Sequence, residues 1–256
     1  MSKALILSGV SIALLNGCEP QLDPWSWSGE PLLATGASGG QALPLLQRRL
    51  AVAAENLANL DTPGYRRTIV LGPSADGRAV EEISLEQGAP VRGRVLDVML
   101  TGPGFFRVGT AETSYYTRCG RFTLDAEGEI VLALRPELYL LPRVTVPLDA
   151  VSLTIDSGGS IHVVADSRVI ELGRVRLTTF ISAGRLKRVD RLLFAHTDEA
   201  GPPIEFDAGP GEYDTAVLQG YYECSTVDPR AEQLEIDRIR KQLAIWTEDA
   251  PPAPHR

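Results

Sequence analysis

The sequence predicts a mainly β protein with α: an antiparallel, β-rich central domain flanked by one helix at each end. Three observations predict it. Apolar residues recur at heptad spacing near the start of the chain, and a second such stripe lies near its end. Between them, short alternating runs are broken by turn signals about every ten residues. With 256 residues, 44% of them hydrophobic, the chain suffices for one elongated domain or two small ones.

The first residues read as an address. Met1-Ser2-Lys3 is a short positive start, and the run Ala4–Leu15 is apolar or small throughout. A bilayer span needs about 20 residues, so this run suits a signal peptide over residues 1–17. It ends Leu15-Asn16-Gly17-Cys18, which resembles the lipobox of bacterial lipoproteins and makes Cys18 a lipidation candidate. A plain secretory signal, or an apolar helix with Cys18 incidental, fits the same residues. Residues 18–40 read as a tether, punctuated by Pro20, Pro24, Gly29, Pro31, Gly36, Gly39 and Gly40. Within it, Gly36-Ala37-Ser38-Gly39-Gly40 matches G-x-S-x-G of serine hydrolases, but no strand precedes it to build the elbow that the motif requires.

A helix and its turn occupy 41–67. Leu43, Leu46, Leu50, Ala53, Leu57 and Leu60 are spaced 3, 4, 3, 4, 3, which is a heptad seam. Asp61-Thr62-Pro63-Gly64 stops it, because proline moves Thr62 out of the α region and glycine permits the reversal. The second helix spans 227–246, with Asp228 suited to cap it and Pro229 to open it. Its seam is Ile236, Ile239, Leu243 and Trp246, and a proline-rich tail fills 247–256. The stripes serve to pair the two helices, to meet a neighbouring subunit, or to hold two unrelated helices on a core. Residues 68–226 form the β-rich domain, with strands expected at Val95–Leu100, Phe105–Val108, Tyr115–Thr117, Arg121–Leu124 and Glu129–Leu134. Further strands are expected at Leu138–Leu141, Val151–Ile155, Ser160–Val164, Glu171–Phe180 and Leu192–Ala195, with Gly158-Gly159 a hairpin turn.

Chemistry finds little support. The formal charge of −8 argues against a nucleic-acid partner. Cys18, Cys119, Cys224, His162, His196 and His255 are too scattered for a zinc site. Glu81-Glu82 has no positioned base beside it, so no catalytic residue, cofactor, metal or small-molecule substrate is expected.

Four ordered blocks, the second of them in two parts, carry a family resemblance. Glu55 to Arg67 (ENLANLDTPGYRR) contains Asn56, Leu57, Asn59, Thr62, Pro63, Gly64 and Tyr65. The run Leu96 to Val108 (LDVMLTGPGFFRV) contains Gly102, Gly104, Phe105 and Phe106, and Tyr116 to Asp125 (YTRCGRFTLD) follows at a fixed distance. Gly173 to Phe180 (GRVRLTTF) and Gln219 to Asp228 (QGYYECSTVD) complete the set. Together they resemble the flagellar hook–basal-body rod proteins, most closely the distal-rod branch. The resemblance implies that the end helices pair as an inner axial layer beneath a β-rich domain, and that subunits stack into a rod crossing the periplasm. It also implies a non-catalytic structural role, with the chain itself and other rod, hook and ring subunits as partners. A lipid on Cys18 would add an outer-membrane anchor, and an envelope lipoprotein using the same β module as a scaffold is the alternative. Inside these blocks, Cys119 and Cys224 form a disulfide if the blocks lie side by side, or else remain two buried thiols.

Overall fold

The computed structural model describes residues 39–248. The leader, the tether up to Ser38, Cys18 and most of the proline-rich tail lie outside the described residues. Two helices, α1 (Gly39–Ala58) and α2 (Pro229–Glu248), bracket a β body. Asp228 caps α2, its Oδ1 accepting from Arg230 N at 2.8 Å. The helices pack on one another and α1 also packs on the first strand. Arg49 meets Glu235 and Asn56 meets Glu232, so the two helices run antiparallel.

That double packing rotates the buried face of α1. Leu46 and Ala53 of the seam are buried, but so are Ala42, Val52 and Asn56. Leu50, Leu57 and Leu60 are half-buried, and Leu43 is 40% exposed. On α2, Ile236 and Ile239 are buried and Leu243 half-buried, while Leu234 and Ile245 are exposed. The Trp246 side chain lies outside the described residues.

The strands in chain order are β1 (Thr68–Pro73), β2 (Ala79–Ile83), β3 (Pro90–Arg92), β4 (Val98–Leu100), β5 (Phe105–Gly109) and β6 (Ser114–Thr117). There follow β7 (Phe122–Leu124), β8 (Ile130–Leu132), β9 (Arg135–Leu140), β10 (Ser152–Ile155), β11 (Ser160–Ala165) and β12 (Arg168–Arg174). The last are β13 (Arg176–Thr179), β14 (Lys187–Arg188), β15 (Phe194–Ala195), β16 (Ile204–Asp207), β17 (Val217–Gln219) and β18 (Tyr221–Glu223). Every pairing among them is antiparallel. The run expected as one strand over Glu171–Phe180 is two, broken at Val175, with β12 in a three-stranded sheet and β13 in the large one.

β5 organises the body. One edge pairs with β6, and the other is shared end to end by β9 and β13. Strand alternation sends its two phenylalanines to opposite faces. Phe106 enters the main core with Val98, Leu100, Phe122 and Leu177, and Phe105 enters a second core with Tyr116, Phe180 and Phe194. Each such buried side chain stabilises by about 1.5–3 kcal/mol. The aromatic contacts are edge-to-face, as with Phe106 on Phe122 at 5.3 Å and Tyr116 on Phe180 at 4.8 Å.

The cysteine expectation is corrected. Cys119 is a free, buried thiol and Cys224 is disulfide-bonded, so the two do not bridge each other. Their blocks do come together, but the turn at Gly64 is wedged between them. Gly64 N donates to Glu223 O at 2.7 Å, and a Cβ on Gly64 would stand 2.3 Å from Cys119 N. Cys119 faces the main core instead, where burial pushes its thiol up to about 11.

Candidate functional site at the helix–sheet junction

The blocks Glu55 to Arg67, Leu96 to Val108, Tyr116 to Asp125 and Gln219 to Asp228 converge on the place where the helices meet the β body. After α1 the chain turns on its own side chains. Asn59 Nδ2 donates to Glu55 O at 2.8 Å, Thr62 Oγ1 donates to Asn59 Oδ1 at 3.0 Å, and Tyr65 N donates to Thr62 O at 3.1 Å. Pro63 precedes Gly64, whose φ of +69° lies in the left-handed region. The turn therefore needs glycine twice over, for its backbone angle and for its contact with Cys119.

Asn56 is the hub. Its Nδ2 donates to Thr68 O at 2.9 Å and to Glu232 Oε1 at 3.1 Å. Its Oδ1 accepts from Thr68 N at 3.0 Å and from the Tyr65 hydroxyl at 3.1 Å. One amide thus joins α1, the turn, β1 and α2, with Arg67 Nε donating to the same Glu232 Oε1. Tyr65 is buried, its hydroxyl pKa raised by that burial, and the Arg188 guanidinium lies 4.3 Å from its ring centre.

Beneath the turn lies a buried ion cluster. Arg118 Nε donates to Glu223 Oε2 at 2.7 Å, and Arg66 Nη2 stands 3.0 Å from Glu223 Oε1. Gly88 N donates to Glu223 Oε1 at 2.7 Å. The remaining donors of Arg118 reach Gly102 O at 2.8 Å, Gly104 O at 2.7 Å and Leu100 O at 3.0 Å. This is what the glycine-rich second block does: it presents three carbonyls to one guanidinium. Gly104 has a φ of +107°, and a Cβ there would stand 2.8 Å from the Phe206 ring. Arg66 is served less fully, its Nε and Nη1 lacking partners, and burial lowers its pKa to about 10. Arg66 stays charged at neutral pH.

The arrangement holds and orients; it does not prepare a reactant. Both Glu223 oxygens are committed to donors, and Cys119 with a raised pKa is a thiol rather than a thiolate at neutral pH. Glu81 and Glu82 are ion-paired, to Arg48 at 2.8 Å and to Arg185 at 2.7 Å. Leu57 is half-buried on the helix, while Phe105 and Phe106 anchor the two cores. Arg66, Arg67, Arg118, Glu223 and Glu232 are the residues that motif reading missed. All but Glu232 lie inside the quoted blocks, where charge between apolar neighbours was the available signal.

Comparison with known proteins agrees with this picture. A family model described as the flagellar hook protein FlgE/F/G D1 domain matches residues 99–163, and one described as the flagella basal body rod protein matches residues 37–66. The flagellar basal-body rod protein FlgG of Bacillus subtilis (strain 168) is 26% identical over 222 residues, covering 75% of this chain and 84% of the relative. FlgG of Agrobacterium fabrum is 28% identical over 228 residues, covering 77% and 85%. The flagellar basal-body rod protein FlgF of Rhizobium meliloti is 25% identical over 210 residues, covering 77% and 83%.

Proposed function

Because the chain belongs to the flagellar hook–basal-body rod protein family, we propose that it is a structural, non-catalytic subunit of the flagellar basal body, of distal-rod type. The observation that carries the reading is the junction, where helix, turn, glycine-rich loop and pre-helix block lock through Asn56, Arg118 and Glu223. Such a lock fixes the helix pair relative to the β body, as a subunit that transmits torque requires. The leucines it leaves half-covered on α1, and Leu234 and Ile245 on α2, supply apolar surface for neighbouring subunits in an open helical assembly. A leader over residues 1–17 and a periplasmic location are the part of the proposal that rests on sequence alone. The mass of the mature N-terminus tests that part. The rod assignment is tested by deleting the gene and purifying hook–basal bodies from the complemented strain. The chain co-purifying through detergent and salt washes, with motility lost on deletion, is the expected result. A chain that washes away while basal bodies remain complete overturns it.

A further inference from the structure

Cys224 is disulfide-bonded, while Cys119 is a free thiol sealed in the main core. The sequence has three cysteines and the structure holds one chain, which leaves Cys18 as the other half of the bond. Cys224 stands in the block that leads into α2, and its neighbours are tied to the turn that follows α1. Glu223 O accepts from Gly64 N at 2.7 Å, and Thr226 N donates to Tyr65 O at 3.0 Å. Cys224 N itself donates to Ala89 O at 3.0 Å. The cysteine is therefore fixed at the end of the helix pair where α1 finishes, one helix length from Gly39, where α1 starts. At about 1.5 Å per residue, the 20 residues of α1 span about 30 Å. Residues 19–38 separate Cys18 from α1, and at about 3.3 Å per residue they reach up to about 65 Å. The tether is long enough to return the length of α1 with slack.

We propose that Cys18 and Cys224 form an intrachain disulfide that pins the start of the tether to the helix–sheet junction. The inference rests on the periplasmic location above, since disulfides persist outside the cytoplasm. The bond forms by thiol–disulfide exchange. The two thiols lose two protons and two electrons, and the disulfide of an envelope thiol oxidoreductase is reduced to two thiols. The tether becomes a strap fixed at both ends of α1. A sulfur in this bond carries no thioether-linked lipid, so Cys18 anchors the chain to itself and not to a membrane. Cys119 stays out of the exchange, because the thiolate is the attacking species and burial keeps that side chain a thiol.

Non-reducing peptide mapping tests it on two samples: the mature chain purified from the envelope, and the same chain refolded in a glutathione redox buffer, where oxidised glutathione takes the electrons. After alkylation in denaturant without reductant, the expected result in both is a joined Cys18–Cys224 peptide pair and one labelled thiol, at Cys119. Reduction should add two hydrogens to the intact mass. In Cys18→Ser, Cys224 should alkylate without reductant, and the melting temperature should fall by several degrees, to that of the reduced wild-type chain. Cys224 joined to Cys119, to a second copy or to glutathione in the wild-type chain overturns the proposal. So does a lipid on Cys18, a mature chain that begins beyond Cys18, or three free thiols after refolding. A chain held in the cytoplasm that still forms the pair with glutathione removes the location and leaves the pairing supported.

Discussion

The junction and the helix stripe are neighbours built on opposite terms. At the junction, charge is buried and held: Glu223 accepts from Arg118, Arg66 and Gly88 N, and Arg118 spends its other donors on three carbonyls. Along the helices apolar surface is left uncovered, with Leu43 of the α1 stripe 40% exposed and, on the α2 face opposite its buried stripe, Leu234 67% and Ile245 60%. Buried polar networks specify one geometry, because every alternative leaves a group unpaired. Half-covered leucines tolerate shifts in register and gain from any apolar neighbour. A subunit that must be rigid inside and adaptable at its contacts needs both.

The sharpest way to break this contrast is Glu223→Ala. It leaves the Arg66 and Arg118 guanidiniums buried without a carboxylate, and should cost about 3–5 kcal/mol in denaturant unfolding of the free subunit. A loss below about 1 kcal/mol would mean that the cluster is not a lock. Gly64→Ala comes next, at about 1–3 kcal/mol for the left-handed backbone alone, with the contact at Cys119 N added. Calorimetry on that variant should show a lower melting temperature, and an unchanged one would remove the wedge from the account.

Cys119 sharpens the comparison through pH. Its folded pKa of about 11 exceeds the ordinary value of 9.0, because burial penalises the thiolate. The unfolded chain therefore releases its proton first. The contribution is complete below pH 9 and is lost as pH rises towards 11, by roughly 2–3 kcal/mol across that window. Unfolding midpoints from pH 8 to 11 check this, and the part due to Cys119 should vanish in Cys119→Ala. By the same logic, unfolding without reductant should expose Cys119 to alkylation, whereas Cys224 reacts only after reduction. The smallest effect is expected on the exposed outer face of α2. Leu234→Ser should change free-subunit stability by no more than about 0.5 kcal/mol, yet lower incorporation into basal bodies. A large stability loss would show that this face is already covered within one chain.

Much of the junction was legible because it is local. Asn59, Thr62, Pro63 and Gly64 bond within one turn, so chemistry and spacing alone announce the reversal. The alternating strands from Phe105 to Val164 were legible for the same reason, each run and its turn being written in adjacent residues. What was not legible depends on contacts far apart in sequence. The α1 stripe sits partly off the seam because the helix serves α2 and β1 together, which no heptad reveals. The break at Val175 comes from β12 and β13 joining different sheets. The Cys119–Cys224 pairing failed because the Gly64 turn lies between two blocks that do approach. Arg118 was hidden in the same way: its partners are three carbonyls and a carboxylate as many as 105 positions distant.

The central claim is a lock closed within each chain beside a helix pair completed by neighbours. Amide hydrogen exchange measured by mass spectrometry, on the free subunit and on purified basal bodies, tests it directly. The account predicts that Gly64, Gly88 and Thr226, whose amides are hydrogen-bonded at the junction, are strongly and equally protected in both, while α1 and α2 gain protection only on assembly. Rapid exchange at the junction in the free subunit, or helices equally protected in both states, would contradict it.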